Sequence, residues 1–281
     1  MFHQHRVAGE LTPPPARVVA LHCSGATGRQ WRRLQERAGA MQVIAPDLYG
    51  AGSVGHWTGQ HAFSLADEAE RVLSLPDLAF GRFHLVGHSY GGGVALKLAT
   101  MVPDRVASLC LYEPSAFHLL EFLGPRGRAA MGEIRWVANT VANGLLSGDY
   151  QSGAARFVEY WNGDGSWAAL KPELRAEMVR YLPKACLDFR ALFEEDTPRA
   201  AYRALRFPVL LMAGEFAPAP TRVVAEGLAA FLPDVTSERV LGAGHMGPLT
   251  HAEIVNDLIL GHIAGAVSAM RQSTLADMAA A

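Results

Sequence analysis

Ser89 is the residue of this sequence best placed to do chemistry. It stands in Gly87-His88-Ser89-Tyr90-Gly91, after the apolar run Phe83, Leu85, Val86 and before Val94, Ala95, Leu98 and Ala99 at helical spacing. That order predicts a strand, a sharp turn and a helix. At such a turn the serine takes a strained backbone angle, and a side chain at either flanking position would collide with the strand or the helix; glycine at 87 and 91 meets that requirement. The hydroxyl is then presented, and the helix behind it aims free N–H groups and its positive end at negative charge developing there. A serine hydroxyl is a weak nucleophile at neutral pH and needs a base within hydrogen-bond reach, a task for which histidine has the right unperturbed pKa. Among eleven histidines, His245 in the glycine-rich stretch Gly242-Ala243-Gly244-His245-Met246-Gly247 is the candidate. His84 falls in a strand, His262 in the last helix and His56 and His61 in a polar loop; His88 points away from Ser89, and His22 shapes its own loop.

These residues are positioned by strands alternating with helices. Val18 to Leu21 is a strand ending in the small-residue loop His22-Cys23-Ser24-Gly25. A helix from Trp31 to about Arg37 follows, and Val43-Ile44-Ala45 is a second strand ending in Pro46-Asp47. Leu65 to Leu75 reads as a helix with Leu65, Ala69, Val72 and Leu73 facing inward and Asp67, Glu68, Glu70 and Arg71 facing solvent. After the Ser89 unit, Val106 to Tyr112 is a further strand ending at Glu113-Pro114. The fold class is therefore α/β, a mostly parallel central sheet with helices on both faces, whose ligands collect at the carboxyl ends of the strands.

From Phe117 to Tyr202 the strand rhythm gives way to helical, aromatic-rich sequence, read as an inserted helical cap; Phe117, Trp136 and Trp161 are candidates for lining a pocket over Ser89. Strands resume at Val209–Ala213 and around Arg239-Val240-Leu241, and a last helix runs from Ala252 to about Val267 before an Ala-rich tail expected to fray. The division is thus 1–117 and 202–281 for the core and 118–201 for the cap.

Composition bounds the partners. Hydrophobic residues make up 50% and charged residues 19%, with a net charge of -2, so there is no basic field for nucleic acid and no polybasic patch for a membrane. A small-molecule substrate with an apolar portion is expected. Cys23, Cys110 and Cys186 are too few and too scattered for a disulfide framework, and no Cys/His spacing suits zinc; no metal or cofactor is expected. Met1 to Glu10 lacks an apolar leader, and His3 and His5 read as a polar end. A cytoplasmic location is the expectation.

Taken in order, the loop at His22-Cys23-Ser24-Gly25, Asp47-Leu48-Tyr49-Gly50-Ala51-Gly52-Ser53, the Ser89 elbow and Gly244-His245 resemble the motifs of an α/β-hydrolase with a helical cap, over nearly the whole chain. The resemblance implies Ser89 as nucleophile, His245 as general base, and an oxyanion hole formed by the backbone N–H groups of Ser24 and Tyr90. Cys23 stands where relatives carry glycine, beside that hole, and either narrows the pocket or packs as an inert small hydrophobe. Asp47 and Ser53 brace loops.

One position departs from the family pattern. Where most relatives carry Asp, three residues after the glycine of the loop at Gly214, this chain has Ala217. A histidine base needs a carboxylate to hold its tautomer and stabilise its charged form. Glu113 is the first candidate, because some α/β-hydrolases carry the acid on that strand; Glu215 competes from the usual loop. The expected chemistry is hydrolysis of a carboxylic ester or related acyl compound through an acyl-enzyme. Carbon–carbon bond hydrolysis, lactonase or amidase activity would use the same residues, and the missing Asp leaves open a sensor that binds without turnover. A dehalogenase would need a carboxylate at position 89.

Overall fold

The computed structural model describes residues 15–280; the reading of Met1–Glu10, with His3 and His5, lies outside them. Val18 and Ala20 pack into one apolar cluster and Val19 and Leu21 into another, and all four are fully buried. Such runs, apolar on both sides, belong to strands covered on both faces. The strands are β1 (Arg17–Leu21), β2 (Gln42–Ile44), β3 (Phe83–His88), β4 (Val106–Tyr112), β5 (Val209–Gly214) and β6 (Val235–Val240). All pair in parallel, in the order β2-β1-β3-β4-β5-β6.

The helices are α1 (Arg32–Arg37), α2 (Leu65–Leu73), α3 (Tyr90–Met101), α4 (Gly124–Ser147), α5 (Tyr150–Asn162), α6 (Ser166–Ala169), α7 (Pro172–Phe193), α8 (Arg199–Arg203), α9 (Ala219–Phe231), α10 (Gly247–Thr250) and α11 (Ala252–Ala280). Leu34 of α1 and Val255, Ile259 and Ile263 of α11 cover one face with Val18, Ala20 and Val86. Residues of α2, α3 and α9 cover the other with Val19, Leu85 and Leu109. Helices α4 to α8 intervene between β4 and β5 without adding a strand. Strand order reverses direction between β1 and β3, and the loops after those two strands carry Ser24 and Ser89. A crevice at such a switch point is where ligands of open parallel sheets bind. Among the described residues no helix is long and apolar enough to cross a membrane.

Three elements differ from expectation. Strand β6 starts at Val235; its exposed Thr236 to Arg239 give no apolar signal, and pairing with β5 at the sheet edge defines it. Helix α11 continues to Ala280 instead of ending near Val267, since the tail is rich in Ala and has no Gly or Pro stop. In α2, Asp67 and Glu68 are buried, not solvent-facing. Asp67 closes a capping box with Ser64, and Glu68 meets groups from distant segments.

The elbow has the strained geometry its glycines imply: Ser89 sits at φ 56 and ψ -120. A Cβ on Gly87 would lie 2.6 Å from the Gly91 carbonyl oxygen, and one on Gly91 would lie 2.4 Å from that of His22. Gly91→Ala is therefore expected to destabilise the fold by about 1–3 kcal/mol through forced backbone shifts, read as a lower urea midpoint; an unchanged midpoint would contradict this packing.

Candidate active site

Ser89 Oγ lies 2.9 Å from His245 Nε2, and His245 Nδ1 lies 2.7 Å from Glu113 Oε2. All three side chains are buried. Each stands just past a strand, Ser89 after β3, Glu113 after β4 and His245 in the loop after β6, and parallel pairing brings those ends together. The His245 loop is held from two sides. Tyr112 Oη donates to the Gly244 carbonyl at 2.7 Å, and His88 donates from Nε2 to the His245 carbonyl at 2.8 Å. His88 Nδ1 accepts from the Gln30 amide at 3.1 Å, and Gln30 Oε1 accepts from the Cys23 N–H at 3.0 Å. Burial pulls the His88 pKa well below its ordinary value, so the ring stays neutral with its single proton committed to that carbonyl. His88 is thus a strut between the loops after β1 and β6, a role its sequence position did not disclose.

Glu113 is fully buried and takes a left-handed φ of 42. Its Oε1 accepts from the Gly214 N–H at 2.9 Å, and its Oε2 accepts from Thr221 Oγ1 at 2.9 Å as well as from His245. A carboxylate, an acceptor on both oxygens, satisfies three converging donors. Glu215 is turned away: it bonds Arg239 at 3.0 Å and the Gly242 N–H at 3.0 Å. Ala217 is buried in the turn closed by its N–H on the Gly214 carbonyl. Thr221 escaped the sequence reading because a threonine in the first turn of a helix looks like local capping.

Tyr90 is the first residue of α3, so its N–H has no partner within the helix. No acceptor for the Ser24 N–H occurs among the described residues. Both residues line, with Ser89 and His245, a cavity of about 350 Å³ whose remaining wall is largely apolar. Phe117 and Trp161 line it too, and the Trp161 ring lies 4.2 Å from that of His245. Trp136 does not, which corrects the sequence expectation. Trp136 is 56% exposed and its ring stacks under the Arg156 guanidinium at 4.1 Å, because Ile134, Val137 and Val141 hold the inward side of α4. Cys23 lines the cavity, and burial pushes its thiol up to about 12, so it packs as a neutral wall and not as a nucleophile. Asp47 accepts from the Gly28 N–H at 2.8 Å and braces its loop.

A second polar group was not legible in the sequence. Lys184 Nζ is buried between Asp188 of its own helix and Glu68 Oε1 of α2, the latter at 3.1 Å. Burial raises the Glu68 carboxyl above its ordinary value, the nearby ammonium opposing it. Glu68 and Lys184 lie far apart in the chain, and each reads by itself as part of a solvated helix face.

A family model described as "Alpha/beta hydrolase family" matches residues 18–258. Lipase LipV of Mycobacterium tuberculosis is 32% identical over 169 residues, covering 60% of this chain and 58% of the lipase's own length. A thermophilic esterase from Thermogutta terrifontis superposes with a TM-score of 0.68 at 22% identity, over 89% of this chain and 90% of that one. Carboxylesterase CesB from Bacillus subtilis superposes with a TM-score of 0.63 at 19% identity, over 90% and 85% of the two chains. The two superpositions speak for the fold.

The geometry separates the two glutamates by experiment. Glu113→Gln must turn an NH₂ toward either the Gly214 N–H or the donors on Oε2. Reaction of Ser89 with a fluorophosphonate should therefore slow by roughly 10²–10⁴, while Glu215→Gln should react like wild type. A wild-type rate for Glu113→Gln would contradict the arrangement.

Proposed function

The chain belongs to the alpha/beta hydrolase family, and on that premise we propose that it is a serine hydrolase of carboxylic esters with an uncharged, apolar acyl or alkyl portion. The observation that carries the proposal is the continuous Ser89–His245–Glu113 hydrogen-bond relay opening into a largely apolar cavity. In this reading His245 Nε2 takes the Ser89 proton as Oγ attacks the ester carbonyl. The electron pair of the carbonyl moves to oxygen, and the Ser24 and Tyr90 N–H groups stabilise the resulting oxyanion. Glu113 holds His245 with its proton on Nδ1 and stabilises the imidazolium. The imidazolium then protonates the leaving alcohol, and the acyl group stays on Ser89. Water, deprotonated by His245, attacks the acyl-enzyme; collapse of the second tetrahedral intermediate frees the acid and returns the proton to Ser89. Helices α4 to α8 act as the cap, closing the cavity with Phe157, Trp161 and Leu174. A cytoplasmic site of action and a small-molecule partner belong to the same proposal.

The cavity lining bears on the alternatives. Lactones and simple amides present the same electrophilic carbon and remain substrates of the same machinery. A substrate carrying a carboxylate is disfavoured: among the described residues lining the cavity there is no Lys or Arg, and the one acidic side chain is Asp188. Burying an anion there without a partner would cost several kcal/mol. Binding without turnover loses its supporting feature, the missing Asp at 217, because a carboxylate does reach His245 from Glu113.

With p-nitrophenyl esters, wild type should show turnover or an acyl-enzyme burst that Ser89→Ala abolishes. Alkanoyl esters should exceed ω-carboxyalkanoyl esters of equal length by about tenfold or more in kcat/KM. A preference for the carboxylate-bearing series, or a burst surviving in Ser89→Ala, would contradict the proposal.

A further inference from the structure

The side chains of the two residues assigned to the oxyanion hole end in one buried charge cluster. Ser24 Oγ donates to Asp188 Oδ2 at 2.6 Å. Tyr90 Oη donates to Glu68 Oε1 at 3.1 Å. Between the two acceptors stands the Lys184 ammonium, donating to Asp188, to Glu68 Oε1 at 3.1 Å and to Tyr90 Oη at 3.4 Å, and lying 4.6 Å from the ring centres of Phe63 and of Tyr90. Tyr181 Oη adds a further donor to Asp188. Glu68, Lys184, Asp188 and Tyr90 are all nearly inaccessible to solvent. Lys184 does not line the cavity, so it does not touch substrate.

We infer that Lys184 is a positioning residue for the oxyanion hole: from α7 it fixes, through Asp188 and Glu68, the side chains of both residues whose amides form the hole. The inference rests on the serine hydrolase reading and adds to it a coupling between the cap and the chemistry. One cation bridges two carboxyl groups that approach it from different elements, Glu68 from the core and Asp188 from the cap, and removing a partner from a buried ion cluster leaves uncompensated charge. Lifting α7 withdraws the cation and the Ser24 acceptor together. The hole is therefore fully assembled only while the cap helix is seated, and the loop that carries Ser24 is pinned across the crevice to a helix from another part of the chain. A displacement of about 1 Å in such a group costs on the order of 10²-fold in rate.

The test compares two ligands. An alkyl trifluoromethyl ketone adds Ser89 Oγ at its carbonyl carbon, the Oγ proton passing to His245 and the carbonyl electron pair to the oxygen that enters the hole; the matching secondary alcohol fills the cavity without forming an oxyanion. Ser24→Ala and Tyr90→Phe remove the tethers and keep both amides, and Lys184→Met removes the cation. Each should weaken the ketone and lower kcat by about tenfold to a hundredfold, with alcohol affinity and KM within about threefold of wild type. Parallel weakening of ketone and alcohol would show a role in pocket shape alone and overturn the inference, as would no change in either. Should Lys184→Met fail to fold, Lys184→Gln, which keeps hydrogen-bond donors at that position without the charge, decides on the same criterion. A wild type that adds no ketone would defeat the hydrolase reading, and this inference with it.

Discussion

The 2.7 Å hydrogen bond between His245 Nδ1 and Glu113 Oε2 is the constraint on which the rest of the site depends. In the proposed mechanism His245 accepts the Ser89 proton, so it has to present a bare Nε2, and an acceptor at Nδ1 keeps the other proton there. Taking a carboxylate out of water costs several kcal/mol. The cost is offset because Gly214 and Thr221 supply further donors, each hydrogen bond to a charged group being worth about 1.5–3 kcal/mol. Strand order explains why a carboxylate just past β4 reaches a histidine after β6. Tyr112 pairs with Met212 in register, so Glu113, one residue further, stands beside the end of β5, and its own N–H bonds the Met212 carbonyl at 2.9 Å. The carboxylate arrives from the neighbouring strand end, and position 217 is left free for alanine.

The same economy runs through the surrounding struts. The Gln30–His88 chain ties the loop after β1 to the His245 carbonyl, and the Glu68–Lys184–Asp188 cluster ties α2 and α7 to the residues flanking the crevice. Both use buried polar groups whose partners are supplied in full, the condition under which such groups rigidify a site and do not weaken it.

Legibility in the sequence followed the range of the interaction. The parallel sheet, the Ser89 elbow and the loop bearing His245 were visible because strand periodicity and tight glycine turns are local. Glu113 could be named, beside Glu215, because it ends an apolar strand that carries the acid in some α/β-hydrolases. Thr221, Gln30 and the Lys184 cluster were hidden, since their roles exist only when segments distant in sequence meet: Lys184 and Glu68 are 116 residues apart. Trp136 shows the converse error. Aromatic content identified a helical region with a pocket, but only the packing of Ile134, Val137 and Val141 determines which side of α4 faces inward. The exposed edge strand β6 reads short in the sequence for a similar reason, since its first residues are defined by backbone pairing and not by side-chain pattern.

The central claim, that Glu113 acts through His245 and not by itself, is tested most directly by a mutant cycle on the rate of Ser89 acylation. Groups that work as one unit are strongly non-additive. The account predicts that His245→Ala combined with Glu113→Gln is no slower than His245→Ala alone. Losses that multiply in the double variant would show that the carboxylate and the imidazole act independently, and would contradict it.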